Sequence, residues 1–145
     1  MPWDLDLALL RRLEKRIFIP LPNEAARKSM LQIYLSKQHS PIESGFDFDK
    51  AASETEGYSG ADIKLLCKEV AMRPVRRLLA RLDELHSSDA SNSLAGISEK
   101  QISQLMKHNP IMATDMQMSL MCTNPSSGKN QCAKYLEWTK DFGST

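Results

Sequence analysis

Two adjacent arginines, Arg11 and Arg12, close a short amphipathic stretch that begins at Leu7. A guanidinium stays charged at any physiological pH, and its planar fork of donors matches the oxygens of a phosphoryl group. The plainer reading of such a pair is a solvated basic helix end favoured by the macrodipole. A second candidate is the run Gly57-Tyr58-Ser59-Gly60-Ala61-Asp62. Small residues at a helix N-terminus let a flat ligand approach the backbone, and the first amides of the helix are free to donate. Its plainer reading is that Ser59 is an N-cap and Gly60 a tight-turn residue, and capping does not exclude contact. A third feature is the basic run Arg73, Arg76, Arg77 and Arg81, in which 73, 77 and 81 recur every four residues. It is either a solvated face paired with Glu69, Asp83 or Glu84, or a contact surface for a neighbouring protomer or an acidic polymer. His39, His86 and His108 are scattered, and Cys67, Cys122 and Cys132 lack metal-ligand spacing, so no metal site is expected.

The elements that position these residues follow from capping and periodicity. A helix from Leu7 to Arg12 leads to a strand at Arg16 to Ile19, which Pro20 and Pro22 end. Asn23 caps a helix through about Leu35, with Ala26, Met30, Ile33 and Tyr34 as its apolar stripe. After a connector at His39 to Phe46, Asp47 or Asp49 starts a short helix to about Thr55, stopped by Gly57. Ser59 caps the next helix, which turns Ile63, Leu66, Cys67, Val70 and Ala71 inward. Pro74 lacks an amide donor and predicts a break or kink before a basic helix through Leu85. His86 to Gly96 is rich in Ser, Asp and Asn and reads as a flexible loop. A weak helix at Glu99 to Lys107, one over Thr114 to Met121 capped by Thr114, and one over Asn130 to Phe142 complete the chain. In the last, Tyr135, Trp138 and Phe142 lie near one face as packing surface.

Composition narrows the class. At 145 residues and 41% hydrophobic content, the sequence can support one modest core. Its net charge of +1 gives no global pull towards nucleic acid or an anionic membrane. Three cysteines, an odd number, fit reduced thiols in a cytosolic or nuclear protein. No signal peptide and no run of eighteen apolar residues is present, so no membrane insertion is expected. Helix after helix with short connections predicts a mainly α bundle.

Longer blocks carry a family resemblance. Pro2-Trp3-Asp4-Leu5-Asp6, then Ala8-Leu9-Leu10-Arg11-Arg12-Leu13-Glu14-Lys15-Arg16-Ile17 and Ile19-Pro20-Leu21-Pro22, resemble the second region of homology of AAA ATPases. The meiotic subgroup of microtubule-severing and ESCRT-remodelling enzymes is the nearest, and within it the katanin-like enzymes. The resemblance continues from Glu54 through Gly57-Tyr58-Ser59-Gly60-Ala61-Asp62 to Arg77, and resumes at Thr123 to Ser126 and Lys134 to Gly143. It covers roughly two thirds of the sequence. A phosphate loop of the form G-x-x-x-x-G-K-[ST] is missing: Gly128-Lys129 has no glycine five residues upstream and no Ser or Thr after it. Paired carboxylates for Mg²⁺ at the end of an apolar run are missing too.

The resemblance implies the C-terminal portion of an ATPase, as a fragment or a short isoform, inactive by itself. It implies a helical AAA lid bundle with a remnant strand and helix of the α/β ATPase core and a C-terminal docking helix. Residues 1–22 would be the core remnant with the arginine-finger region. Residues 23–121 would be the lid, with a flexible insertion at about 86–110 that departs from the family pattern. Residues 122–145 would be the linker and docking helix. Arg11 and Arg12 would act as trans arginine fingers on a neighbour's ATP, and Gly60 and Ala61 would line the protomer's own adenine pocket. The basic stripe from Arg73 would serve the interface between protomers. The intact enzyme would use ATP with Mg²⁺ as a hexamer, engage tubulin and sever microtubules. It would sit in the cytoplasm on the cytoskeleton, at microtubules, spindle or centrosome. The alternatives are an ESCRT-type filament-disassembling ATPase and a non-catalytic module that co-assembles with full-length protomers.

Overall fold

A computed structural model describes residues 1–37, 40–86, 99–126 and 129–144. The expected loop at 86–96 falls almost wholly outside these residues, as does about half of the insertion at 86–110. His39 lies outside them too. After a 3₁₀ turn at Pro2–Asp4, the described helices are α1 (Leu7–Arg12), α2 (Glu24–Ser36), α3 (Phe48–Glu54), α4 (Gly60–His86), α5 (Glu99–Lys107), α6 (Ala113–Leu120) and α7 (Lys129–Phe142). The fold is mainly α, as the sequence predicts.

Most starts are set by side-chain caps. The Asp6 carboxylate accepts from the Leu9 amide at 2.7 Å, and Asn23 Oδ1 from the Ala26 amide at 2.9 Å. Asp47 Oδ1 takes the amides of both Asp49 and Lys50, which settles the start of α3 on Asp47. Gly57, at φ 83°, stops the turn after α3 in a conformation that L side chains rarely adopt. In α6 the expected cap Thr114 is inside the helix instead. There Asp115 reaches back to the Met112 amide at 2.9 Å, because a carboxylate three residues in can satisfy the first amide as well as a preceding hydroxyl can.

The core sits where α2, α3 and α6 close on the N-terminal half of α4. Leu31 and Leu35 of α2 meet Ile63, Leu66 and Val70 of α4, and Ile111 closes the far side. An isolated parallel bridge holds Ile111 against Ile42, through Ile111 N–H to Pro41 O at 2.8 Å and Glu43 N–H to Ile111 O at 2.9 Å. The inward face of α2 differs from the expected stripe: it is Arg27, Leu31 and Leu35, with Met30 and Tyr34 at its margin, and Ile33 is half exposed. The buried Arg27 spends its donors on carbonyls, Nε and Nη2 on Ala52 O and Nη1 on Pro22 O. A cation in a core position is tolerable because it satisfies backbone acceptors at the end of α3.

Two further expectations are corrected. No strand forms at Arg16 to Ile19, since a strand needs a neighbour and none of the described residues supplies a ladder there. Ile17 and Ile19 are instead 74% and 84% exposed. Nor does Pro74 break α4: the helix runs through it, with Pro74 fully buried, so packing offsets the lost amide.

The arginines of α4 are consumed inside the molecule. Arg77 pairs with the buried carboxylate of Asp115 and donates to Pro110 O at 2.8 Å. Arg73 reaches Met118 O at 3.2 Å, and Arg76 pairs with Glu69. Arg81 is 3.4 Å from Asn109 Oδ1. Arg73 and Arg77 therefore link α4 to α6 and the turn before it, while Glu69, one of the expected partners, pairs with Arg73 and Arg76 within α4. Asp115→Ala, which strands a half-buried guanidinium, should lower unfolding free energy by about 2–3 kcal/mol. A urea titration should show a lower midpoint with an unchanged slope.

Candidate nucleotide-facing site

The arginine pair ends a helix of only six residues. One residue of that helix, Leu10, is buried and anchors it. Arg11 and Arg12 are exposed, and neither guanidinium has a partner among the described residues. Their segment is held from the other end of the chain. Tyr135 of α7 packs on Trp3 at 5.0 Å and on Phe18 at 6.3 Å between ring centroids. Arg16 O accepts from the Ser144 amide at 2.8 Å, and the Arg16 amide donates to Ser144 Oγ at 3.1 Å. An apolar groove of about 660 Å³ lies between the arm and α7, lined by Leu10, Ile17, Phe18, Tyr135, Leu136 and Trp138 among others.

At the start of α4, Ala61 is exposed and Gly60 half-buried. Their amides make no hydrogen bond among the described residues. A Cβ on Gly60 would meet only Met30 Cε at 3.8 Å and Sδ at 4.0 Å, ordinary contact distances. Packing within the chain therefore does not demand glycine there. The turn combines free donors with an uncrowded surface, which suits a flat ligand lying on the backbone.

Below this turn Asp62 gathers the local polar groups. Its Oδ2 accepts from Ser59 N at 2.9 Å and Ser59 Oγ at 2.8 Å, while Ser59 Oγ accepts from the Asp62 amide at 3.2 Å. This is a reciprocal cap. The same oxygen accepts from Ser126 N at 3.2 Å and Ser126 Oγ at 3.0 Å. Tyr58 Oη donates to Thr123 O, so the segment 123–126 is tied to both sides of the turn. Burial pushes the Asp62 carboxyl up, but the donors from Ser59 and then Ser126 outweigh it and hold the group below its ordinary value.

Extended packing does not join α1 to α4. Within this chain the arginine pair and the Gly60–Ala61 turn are two separate surfaces. The sequence reading gave no site role to Tyr58, Asp62 or Ser126. Ser59 and Asp62 stand at cap spacing, but nothing in the sequence pairs Asp62 with a serine sixty-four residues away. His108 is exposed, with Nδ1 2.9 Å from Gln104 O, and no group of three or more His, Cys, Asp or Glu suited to a metal occurs among the described residues. No described helix is long and apolar enough to cross a membrane.

Residues 45–89, which contain the Gly60–Ala61 turn and its cap, match the AAA+ lid domain family. The chain belongs to the AAA ATPases. It corresponds to the C-terminal part of a katanin-like enzyme. The katanin p60 A-like 2 ATPase of Xenopus tropicalis is 37% identical over 99% of this chain and 25% of its own length. The chain thus spans about a quarter of the length of the curated relatives it matches first. A structure solved to explain katanin self-assembly superposes at a TM-score of 0.74 with 32% identity, over 96% of this chain and 44% of that one. The FIGL-1 AAA domain in complex with ADP superposes at 0.70 with 26% identity, over 99% and 43%.

The Asp62 geometry makes a pH prediction for this AAA lid. A carboxyl with a folded pKa below its unfolded value of 3.8 contributes stability that is fully present above that value. The contribution is lost as pH falls through the lower folded value. Thermal melting followed from about pH 6 down to about pH 2 should therefore show an acid limb that is shallower in Asp62→Asn. Equal slopes for the two proteins would contradict the assignment.

Proposed function

We propose that this chain supplies two parts of a nucleotide site divided between neighbouring protomers of a katanin-like ATPase. Gly60 and Ala61 form the adenine side of the protomer's own site, and Arg11 and Arg12 reach a neighbour's triphosphate. The observation that carries this reading is the pair of unpartnered, exposed guanidiniums on an anchored helix, not packed against the chain's own Gly-Ala turn. Elsewhere in the lid, Arg27, Arg73, Arg76 and Arg77 are paired or hydrogen-bonded internally. Fingers held ready for another protomer would be left free in this way.

In this reading residues 1–22 complete the ATPase core, 23–121 are the lid, and 122–145 are the linker and docking helix. The apolar groove between the arm and α7 supports that division, since the face of a core remnant would be covered by the rest of the core. The exposed Ile17 and Ile19 would gain strand neighbours there. ATP carries Mg²⁺ in the intact enzyme, where the ion neutralises charge on the transferring phosphoryl group. This chain's residues would add two further parts: the Gly60 and Ala61 amides face the base side, and the two guanidiniums stabilise phosphoryl oxygens. The intact enzyme is a hexameric ring acting on tubulin at microtubules, in the cytoplasm and at the spindle or centrosome. ESCRT-type filament disassembly and a non-catalytic co-assembling module are the competing readings, and both keep the same lid and arginine pair.

In the intact protein, Arg12→Ala should lower assembly-stimulated ATP hydrolysis by about a thousandfold or more while leaving ATP affinity nearly unchanged. Turnover at the wild-type rate would overturn the finger assignment. Separately, Ala61→Leu should weaken adenine-nucleotide binding by roughly tenfold with no loss of thermal stability, because the added bulk projects from an exposed position. Unchanged affinity in a calorimetric titration would remove the adenine reading and leave the arginines standing.

A further inference from the structure

The two halves of the proposed site each make hydrogen bonds or ring contacts with the far end of the chain. At one end, Gly60 and Ala61 sit directly before Asp62, whose Oδ2 holds Ser126 by amide and hydroxyl. Tyr58, just before the turn, holds Thr123 O, and Thr123 Oγ1 in turn donates to Ser119 O at 2.7 Å. In sequence this segment precedes α7, with residues 127–128 between them outside the described ones. Tyr135 of α7 then packs on Trp3 and Phe18, which flank α1 in sequence, and Ser144 clasps the Arg16 backbone from both sides. Arg11 and Arg12 lie on the segment between these two clasps.

We infer that Asp62 is a positioning residue: it links the Gly60–Ala61 turn to the take-off of α7, and through α7 to the arm that carries the arginine pair. The physical basis is the multiplicity of the joint. One carboxylate oxygen serves the cap of α4 and the 123–126 segment together, so separating the turn from the linker gives up two charge-assisted hydrogen bonds to Ser126. Ser126 is exposed, and its hydroxyl contributes only to the linker side of the joint. Ser59 contributes only to the cap side. The two serines therefore let the cap and the cross-link be removed one at a time. The coupling role goes beyond the nucleotide reading, although the purpose of the coupling rests on it.

Hydrogen–deuterium exchange on this chain, without nucleotide, separates the possibilities. Ser126→Glu sets a second carboxylate against Asp62 and should raise exchange roughly tenfold in peptides spanning 129–142 and 7–20. Exchange in 63–72 should not change. Ser126→Ala should move the same peptides by a smaller factor, since only the hydroxyl is lost. Ser59→Ala should raise exchange at the start of α4 and leave 129–142 as in the wild type. If Ser126→Glu leaves 129–142 or 7–20 at wild-type protection, or raises every peptide equally, the joint does not position α7 and the inference fails. A nucleotide titration by the same readout on the intact protein tests the adenine reading apart from this: protection of 57–62 by ADP that needs roughly tenfold more ADP in Ala61→Leu supports it. Lack of that protection fails the adenine reading while leaving the joint intact.

Discussion

One helix, α4, packs against α2, α5 and α6, and that constraint organises the lid. The first half of α4 turns Ile63, Leu66, Cys67 and Val70 inward against α2, α3 and the Ile111 bridge. Its second half turns arginines towards α6 and the turn before it. Apolar burial fixes where α4 lies, and the guanidiniums fix which partner it accepts on the other side. The division follows from residue type. Short aliphatic side chains close a core at native density, whereas an arginine can span from one helix to the carbonyls and carboxylates of the next. Burial also explains Cys67: desolvation pushes its thiol up to about 12, so it behaves as a small hydrophobe rather than a nucleophile.

Much of this was legible in the residues, and the misreadings have physical causes. Caps are local, so Asn23, Asp47 and Ser59 mark helix starts that the structure repeats to within a residue. Amphipathic spacing likewise identifies the inward face of α4. What periodicity does not carry is the identity of a polar partner on another element. The spacing of Arg73, Arg77 and Arg81 describes a stripe equally well whether it faces solvent, a second protomer or α6. For Arg77 the position of Asp115, buried within α6, decides among them. Arg27, a charged residue on the buried face of α2, stays outside the expected apolar stripe for the same reason, because its acceptors are carbonyls of α3 and Pro22 that no pattern announces.

The candidate site divides along the same line. Arg11, Arg12, Gly60 and Ala61 stand out by type and neighbourhood. Asp62 enters the sequence reading only as the last residue of the Gly57–Asp62 run. Its grip on Ser126 is a tertiary fact, and so is the clasp between Arg16 and Ser144 that brings the two ends of the chain together. The strand expected at Arg16 to Ile19 illustrates the converse. A β-branched run has the propensity for a strand, but a strand is a property of two segments, and the segment here takes its hydrogen bonds from a single serine beyond α7.

These joints distribute rigidity unevenly, and the distribution bears on how a lid works. The core of α2, α3, α4 and α6 is closed by apolar contact all round. The arm bearing the arginines is held by an aromatic trio and one serine, beside an open apolar groove. Regions held by few buried contacts open at lower free energy than the core they adjoin. A finger that must reach across a boundary gains from belonging to such a region, provided something rigid limits its range. In the inferred coupling α7 sets that limit, since Thr123 and Ser126 are held to the lid before it and Tyr135 and Ser144 hold the arm. On the proposed reading, guanidiniums free in their side chains on a confined backbone are the combination that contact with a phosphoryl group in another protomer would require.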